Sequence, residues 1–236
     1  MTDLPREPLT DADAVRLRSA ALFVPLPREA LAALLGEACA AVAEPFRVLF
    51  EQDQPADHLV VVIEGVVGVM AAVGPHESCL VELIGPGQVV GEAGLFDTGR
   101  YPVAAQAITG ARLALIPAAA LRECLDTHAG LRRHMLGFLS SRLRVLVQQI
   151  AQLKLMSAPQ RVGSFLLGLT QRRAGRQTIR LACERRIIAG MLGMTPESLS
   201  RSLRQLRDLG VQSQGKRDIL VEDPERLRAF VAGITE

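Results

Sequence analysis

Between Thr195 and Arg204 the chain places a carboxylate, a hydroxyl and two guanidiniums at helical spacing. At 100° per residue Glu197, Ser200, Arg201 and Arg204 fall on one face, and Leu199, Leu203 and Leu206 fall on the opposite one. Thr195 is a good N-cap, and Pro196 suits the first helical position, whose N–H would be unpaired anyway. Carboxylate, hydroxyl and guanidinium groups near a helix N-terminus match the base edges and phosphates of a DNA major groove. A solvated surface helix has the same pattern, so the flanking sequence must decide between the two.

Upstream, the run from Arg185 to Met194 reads as a partner helix closed by a tight turn at Gly193. Downstream of Gly210, Val211 to Val221 reads as a β-hairpin, with Gln214-Gly215-Lys216-Arg217 at its tip. Val162, Phe165, Leu166 and Leu169 give an amphipathic helix, Arg172-Arg173-Ala174-Gly175-Arg176 a basic loop, and Asp223-Pro224-Glu225 the start of a last helix. From Ala158 onward there are 14 basic against 8 acidic residues, whereas the preceding part has 13 against 17. The C-terminal third is therefore the part suited to a polyanion. Before it, Leu131 to Met156 runs without proline, and Leu136, Leu139, Leu143, Leu146, Ile150 and Leu153 repeat with heptad spacing. That seam predicts a dimerisation helix, which a palindromic DNA site would need. Ser157 with Pro159 marks the next helix start, so Met156-Ser157 is the expected hinge.

The N-terminal part reads differently. Residues 11–41 are expected to be helical, with Leu31, Leu34 and Leu35 on an apolar face. From Phe46 to Pro117, short aliphatic runs such as 59–63, 66–69, 80–84 and 112–116 alternate with Gly, Pro and Asp turns, which predicts an antiparallel sandwich or barrel. A hydrophobic content of 49% is enough for real cores. No apolar run is long enough to span a membrane, and the first residues lack a signal-sequence pattern, so a cytoplasmic protein with no membrane partner is expected. Cys39, Cys79, Cys124 and Cys183 are widely spaced and form no CxxC pair, which argues for reduced thiols and against a clustered metal site. His58, His76, Glu64, Glu82 and Glu92 lack metal-site spacing, and no nucleophilic triad or phosphate loop is evident, so no enzyme is expected.

Three stretches together resemble the Crp/Fnr family of bacterial transcription regulators over nearly the whole chain. They are Gln54-Pro55-Ala56-Asp57-His58 with Val62-Ile63-Glu64-Gly65, Gly85 to Phe96, and Leu192 to Arg201. The resemblance implies an α+β fold: a cyclic-nucleotide-binding-like β-roll with flanking helices (residues 1–127), a long dimerisation helix (128–156) and a winged helix-turn-helix (157–236). It implies a homodimer on double-stranded DNA with palindromic TTGA-type half-sites, and RNA polymerase as a further partner. In the Fnr-like branch a Glu-x-x-Ser-Arg pattern reads the bases, which Glu197, Ser200 and Arg201 match. Arg185 is then implied at a phosphate, and Arg204, Thr195, Lys216 and Arg217 at the backbone or in secondary contacts.

The same resemblance locates the effector region at Gly91, Glu92, Arg100 and Tyr101. Cyclic-nucleotide members grip the phosphate there with Arg-Ser or Arg-Thr. Here Tyr101-Pro102 stands at that pair, which argues against cyclic AMP. No cysteine precedes Cys39, which argues against an oxygen-sensing iron–sulfur cluster. Residues 17–26 and 97–107 resemble the Dnr-type branch, implying haem-based gas sensing. The His-His often found before Leu-Phe in that branch is Ala20-Ala21 here, which leaves His58, His76, His128 and His134 as candidate axial ligands, His134 at the start of the long helix foremost, with Met135 and Cys79 behind them. A regulator that binds DNA constitutively, its sensor domain vestigial, and a cyclic-nucleotide-responsive regulator are the alternative readings.

Overall fold

The computed structural model describes residues 4–72, 78–171 and 174–233. His76 and the Arg172-Arg173 part of the basic loop lie outside the described residues. The chain packs as two compact units, one up to Arg142 and one from Leu143.

The first unit begins with β1 (Arg6–Pro8), α1 (Asp11–Arg18), α2 (Arg28–Gly36) and β2 (Cys39–Ala43). The stretch expected to be helical over 11–41 is thus two short helices and the start of a strand. A reciprocal cap between Thr10 and Asp13 starts α1. Pro25 and Pro27 prevent helix from continuing between α1 and α2. The alanine-rich segment Cys39–Ala43 becomes a strand because β1 and a later strand, Ala111–Pro117, pair with it on either side; its weak intrinsic preference yields to those ladders.

The roll continues through β3 (Val48–Phe50), β4 (His58–Glu64), β5 (Val67–Ala72), β6 (Ser78–Ile84), β7 (Val89–Val90), α3 (Glu92–Phe96), β8 (Ala104–Ala107) and β9 (Ala111–Pro117). All strand pairs are antiparallel, in a five-stranded sheet ordered β1-β2-β9-β4-β7 and a four-stranded sheet ordered β3-β8-β5-β6. One continuous core takes residues from both sheets, including Leu49, Val67 and Ala105 from one, and Val60, Leu113 and Leu115 from the other. In β4 the residues Leu59 to Ile63 are all buried, because one face meets that core and helices α1, α3 and α4 (Ala118–Thr127) pack against the strand.

The roll's N-terminal helix is held by a largely buried ion pair. Arg112 Nε and Nη2 donate to the two Asp13 oxygens at 2.8 and 2.7 Å, and Glu7 also pairs with Arg112. The Thr10 amide and hydroxyl complete the carboxylate's shell at 2.9 and 2.8 Å. The Arg112 hydrogen bonds hold the Asp13 carboxyl well below the usual carboxylate range.

Helix α5 (Ala129–Leu155) crosses from the first unit into the second. The second unit continues with α6 (Ala158–Leu169), β10 (Gln177–Arg180), α7 (Arg185–Met191), α8 (Pro196–Gln205), β11 (Val211–Gln214), β12 (Asp218–Val221) and α9 (Pro224–Val231). Strands β10-β12-β11 form a small antiparallel sheet. A capping box at Ser157 and Gln160 starts α6, and Asp223 caps α9 through the amides of Glu225 and Arg226. Among the described residues no helix is long and apolar enough to cross a membrane.

Asp13→Asn is expected to destabilise the roll by about 2 kcal/mol, because it leaves Arg112 with weakened acceptors. A depressed folded-state pKa contributes stability above the unfolded value of ~3.9 that is lost as pH falls below it. Thermal melts from pH 6 down to pH 3 should therefore fall more steeply for the native chain than for the variant.

Candidate nucleic-acid interface

The C-terminal unit forms around two helices and the turn between them. Helix α7 ends in a backward bond from the Met194 amide to the Ala189 carbonyl at 3.0 Å, with Gly193 at φ 62° between them. Thr195 Oγ1 then accepts from the Ser198 amide at 3.2 Å and opens α8, with Pro196 in the first turn. Leu199, Leu203 and Leu206 are buried, while Glu197, Ser200, Arg201 and Arg204 are exposed.

The exposed face carries local order that sequence spacing did not reveal. Ser198 Oγ accepts from Thr195 Oγ1 at 3.2 Å and from Arg201 Nη2 at 3.1 Å, so it links the cap to the guanidinium. The i, i+3 spacing of Ser198 and Arg201 was the available signal. Glu197 is held below the usual carboxylate range first by its own backbone amide, then by the Thr195 hydroxyl, with a smaller effect of Arg201. It is therefore an anion at neutral pH, able to accept but not to donate.

The hairpin of β11 and β12 turns at residues 215–217, with Lys216 and Arg217 exposed. Arg185, in the first turn of α7, is half-buried, and its Nη2 donates to the Gly215 carbonyl at 2.9 Å. This contact ties α7 to the hairpin tip, a role that spacing alone did not reveal. The buried Arg185 Nε has no protein partner among the described residues.

Sequence reasoning also missed Arg161. Its Nε donates to the Leu192 carbonyl at 3.1 Å and its Nη1 to the Met156 carbonyl at 3.0 Å. Cys183, two residues before α7, is buried, and burial pushes its thiol up.

In the roll, three of the residues expected at the effector region, Gly91, Glu92 and Tyr101, are buried, and Arg100 is exposed. Tyr101 is fully buried, its ring stacked on Phe50 at 3.7 Å between centroids, and its hydroxyl donates to the His58 carbonyl at 2.7 Å. Burial pushes this phenol up to about 12. Gly91 sits at φ 95°, and a Cβ there would lie 2.9 Å from the Tyr101 ring. Glu92 is buried, and its Oε1 accepts from Arg142 Nη1 at 2.7 Å; Arg142 also pairs with Glu82 and donates to the Val89 carbonyl at 3.2 Å. Burial raises the Glu92 carboxyl and the facing Arg142 partly reverses that. Arg100 is exposed and donates to the Asp53 carbonyl at 2.5 Å.

Neither His134 nor His58 borders the cleft of the roll next to Arg16 and Gly87. A cleft of about 500 Å³ in the roll is lined by Arg16, Leu17, Ser19, Val62, Ile63, Glu64, Gly65, Pro86 and Gly87, which include no histidine, cysteine or methionine. His134 Nε2 donates to the Ala21 carbonyl at 2.7 Å and so pins α5 to the segment after α1. His58 is half-buried, its ring held below the usual histidine range by burial, with no protein partner at Nδ1 among the described residues. No metal-holding group of His, Cys, Asp and Glu occurs among the described residues.

Along α5 the heptad positions are largely uncovered. Leu136, Leu143, Ile150 and Leu153 are more than half exposed and Leu146 is 38% exposed, while Leu139 is half-buried and packs on the roll's core with Phe138.

A helix-turn-helix with a basic hairpin, preceded by a nucleotide-binding-type roll and a long helix, defines a DNA-binding regulator. Family models for a Crp-like helix-turn-helix domain and a cyclic nucleotide-binding domain match residues 160–230 and 42–128. The nitrogen fixation regulation protein FixK of Azorhizobium caulinodans is 30% identical over 187 residues, covering 76% of this chain and 74% of that protein. The CRP-like cAMP-activated global transcriptional regulator of Mycobacterium tuberculosis is 27% identical over 216 residues, covering 89% and 96%. The structure of FixK2 from Bradyrhizobium japonicum aligns with a TM-score of 0.72 at 25% identity, covering 81% and 96%. The chain belongs to the Crp/Fnr family of transcription regulators, and its α+β fold of roll, long helix and helix-turn-helix is that family's. Its relatives are transcription regulators rather than enzymes.

Thr195→Ala removes the α8 cap and one support of Ser198. A loss of about 1 kcal/mol in unfolding free energy is expected from denaturant melts.

Proposed function

We propose that this chain is a homodimeric regulator that reads palindromic TTGA-type half-sites, with RNA polymerase as its further partner. The observation that carries the DNA reading is the exposed Glu197–Ser200–Arg201 face of α8, within the same unit as the basic hairpin tip. Arg201 can donate in a fork to guanine O6 and N7, Glu197 can accept from a cytosine amino group, and Ser200 can do either. Arg204, Lys216 and Arg217 are the groups for phosphates, and Thr195 supports them as the helix cap. Arg185 serves this surface by holding the hairpin tip.

Dimerisation draws its support from α5. A stripe of exposed leucine and isoleucine at 3-4 spacing on one helix is costly in water unless covered, and a second copy of the same stripe covers it symmetrically. Two α8 helices about one DNA turn apart, ~34 Å, would then meet the two halves of a palindrome. In this reading residues 1–127 receive the signal, 128–156 dimerise and 157–236 bind DNA.

The signal reaches the roll by a route other than a cyclic phosphate. Tyr101 is neutral and buried, and the guanidinium that pairs with Glu92 among the described residues, that of Arg142, already faces two carboxylates. A phosphate there would meet net negative charge. The same filling of the site by Tyr101 favours a second reading, a constitutive DNA binder controlled by its abundance.

Arg201→Ala should weaken operator binding by about 1–3 kcal/mol and relax the base preference at one half-site position. Equal losses on operator and random DNA in a mobility-shift titration would remove its base-reading role. Lys216→Ala should weaken all DNAs alike and lower the slope of log K against log salt by about 1. Leu143→Asp should sediment as a monomer where the native chain sediments as a dimer. Cyclic AMP is expected to leave operator affinity unchanged; a shift with it would restore the cyclic-nucleotide reading.

A further inference from the structure

We infer that Arg161 is a positioning residue that locks the turn of the helix-turn-helix to the end of α5 and thereby sets the half-site spacing the protein accepts. The inference rests on the homodimer reading for its effect on DNA, but the lock lies within one chain.

Two helices end side by side at this point. Helix α5 stops at Leu155, and α7 stops at Met191 with Leu192 as its cap. The last carbonyls of a helix have no partner within it and carry the negative end of its dipole. Arg161, in the first turns of α6, supplies one guanidinium to both ends, through Nη1 to the Met156 carbonyl at 3.0 Å and Nε to the Leu192 carbonyl at 3.1 Å. Three further contacts tighten the joint. A Cβ built on Gly193 would lie 3.0 Å from Leu153 Cδ2, so the last turn of α5 sits against the motif's turn. Gln152 Nε2 donates to Ser164 Oγ at 3.2 Å, and the Met156 amide donates to the Gln152 carbonyl at 2.9 Å.

Guanidinium geometry explains why arginine is needed. Its N–H groups lie in one plane at fixed angles, so one side chain satisfies two carbonyls only when they hold one relative placement. Leu192 and Gly193 lead directly into the Thr195 cap of α8, so that placement orients the recognition helix against α5. In a dimer built on α5 the same contact, repeated by symmetry, sets the separation of the two α8 helices. Both bridging donors point at backbone carbonyls rather than at the exposed face of α8.

The test uses the full chain with Arg161→Ala and Arg161→Lys. In DNA-free protein, amide exchange at Gly193 and Met194 should speed up at least tenfold in both variants. On DNA, the native chain should prefer one half-site spacing over operators with one base pair inserted or removed. Both variants should lose about tenfold on the preferred operator, bind the altered spacings as before and so lose the discrimination. The slope against salt should stay unchanged, because no phosphate contact is removed. Lysine keeps the charge but cannot span both carbonyls, so its failure to rescue separates bridging from simple charge. Unchanged exchange, or Arg161→Lys behaving as native while Arg161→Ala loses equally on every DNA with a slope lower by about 1, overturns the inference. If Arg161→Ala melts out, Arg161→Lys alone carries both readouts. A native chain that is monomeric, or indifferent to spacing, counts against the homodimer reading and leaves the exchange result to decide the lock.

Discussion

Burial of Leu199, Leu203 and Leu206 is the constraint on which the C-terminal unit depends. A helix of this length can hide only one stripe, and each leucine contributes on the order of 1.5–3 kcal/mol when removed from water. Once that stripe is inside, Glu197, Ser200, Arg201 and Arg204 have no choice but solvent. The chemistry of the surface is thus a consequence of the core beneath it. The turn before α8 is fixed by the same economy of contacts, since Gly193 takes a left-handed backbone and Thr195 caps the new helix where Leu192 closes the old one.

Helix α5 shows the opposite balance. Its first half leans on the roll through Leu131, Met135 and Leu139, while its second half leaves the heptad stripe largely in water. The ion pairs follow a similar division. Asp13 with Arg112 is structural, because both carboxylate oxygens are satisfied by Arg112 and the Thr10 cap. Glu92 with Arg142 and Glu82 joins the roll to α5, with two carboxylates around one guanidinium. Such a network is an electrostatic tie between the roll and the helix that leaves it.

Much of the site was legible because it is local. Helix caps, proline at a first turn, a glycine turn and a 3.6-residue period are properties of ten or twelve consecutive residues, and α7, α8, the hairpin and α9 follow them. The segment 11–41 was harder, because Cys39–Ala43 is a strand only by virtue of β1 and β9, which lie far away in the sequence. Ser198 and Arg161 escaped notice for a related reason. Each acts through hydrogen-bond partners whose geometry is decided elsewhere, Arg161 by two helix ends 36 positions apart in the chain, at Met156 and Leu192.

By itself the sequence determined the succession of roll, long helix and helix-turn-helix, the amphipathic faces of α8 and α5 and the basic character of the C-terminal third. Those follow from periodicity and charge, which need no partner. Tertiary structure alone decided that Tyr101 fills its own pocket against Phe50, that Glu92 faces Arg142, that Arg185 holds the hairpin tip and that Arg161 bridges two helix ends. Each of these joins residues distant in sequence, and a directional hydrogen bond or a close-packed ring is specified only when the fold has set both partners within a few tenths of an ångström.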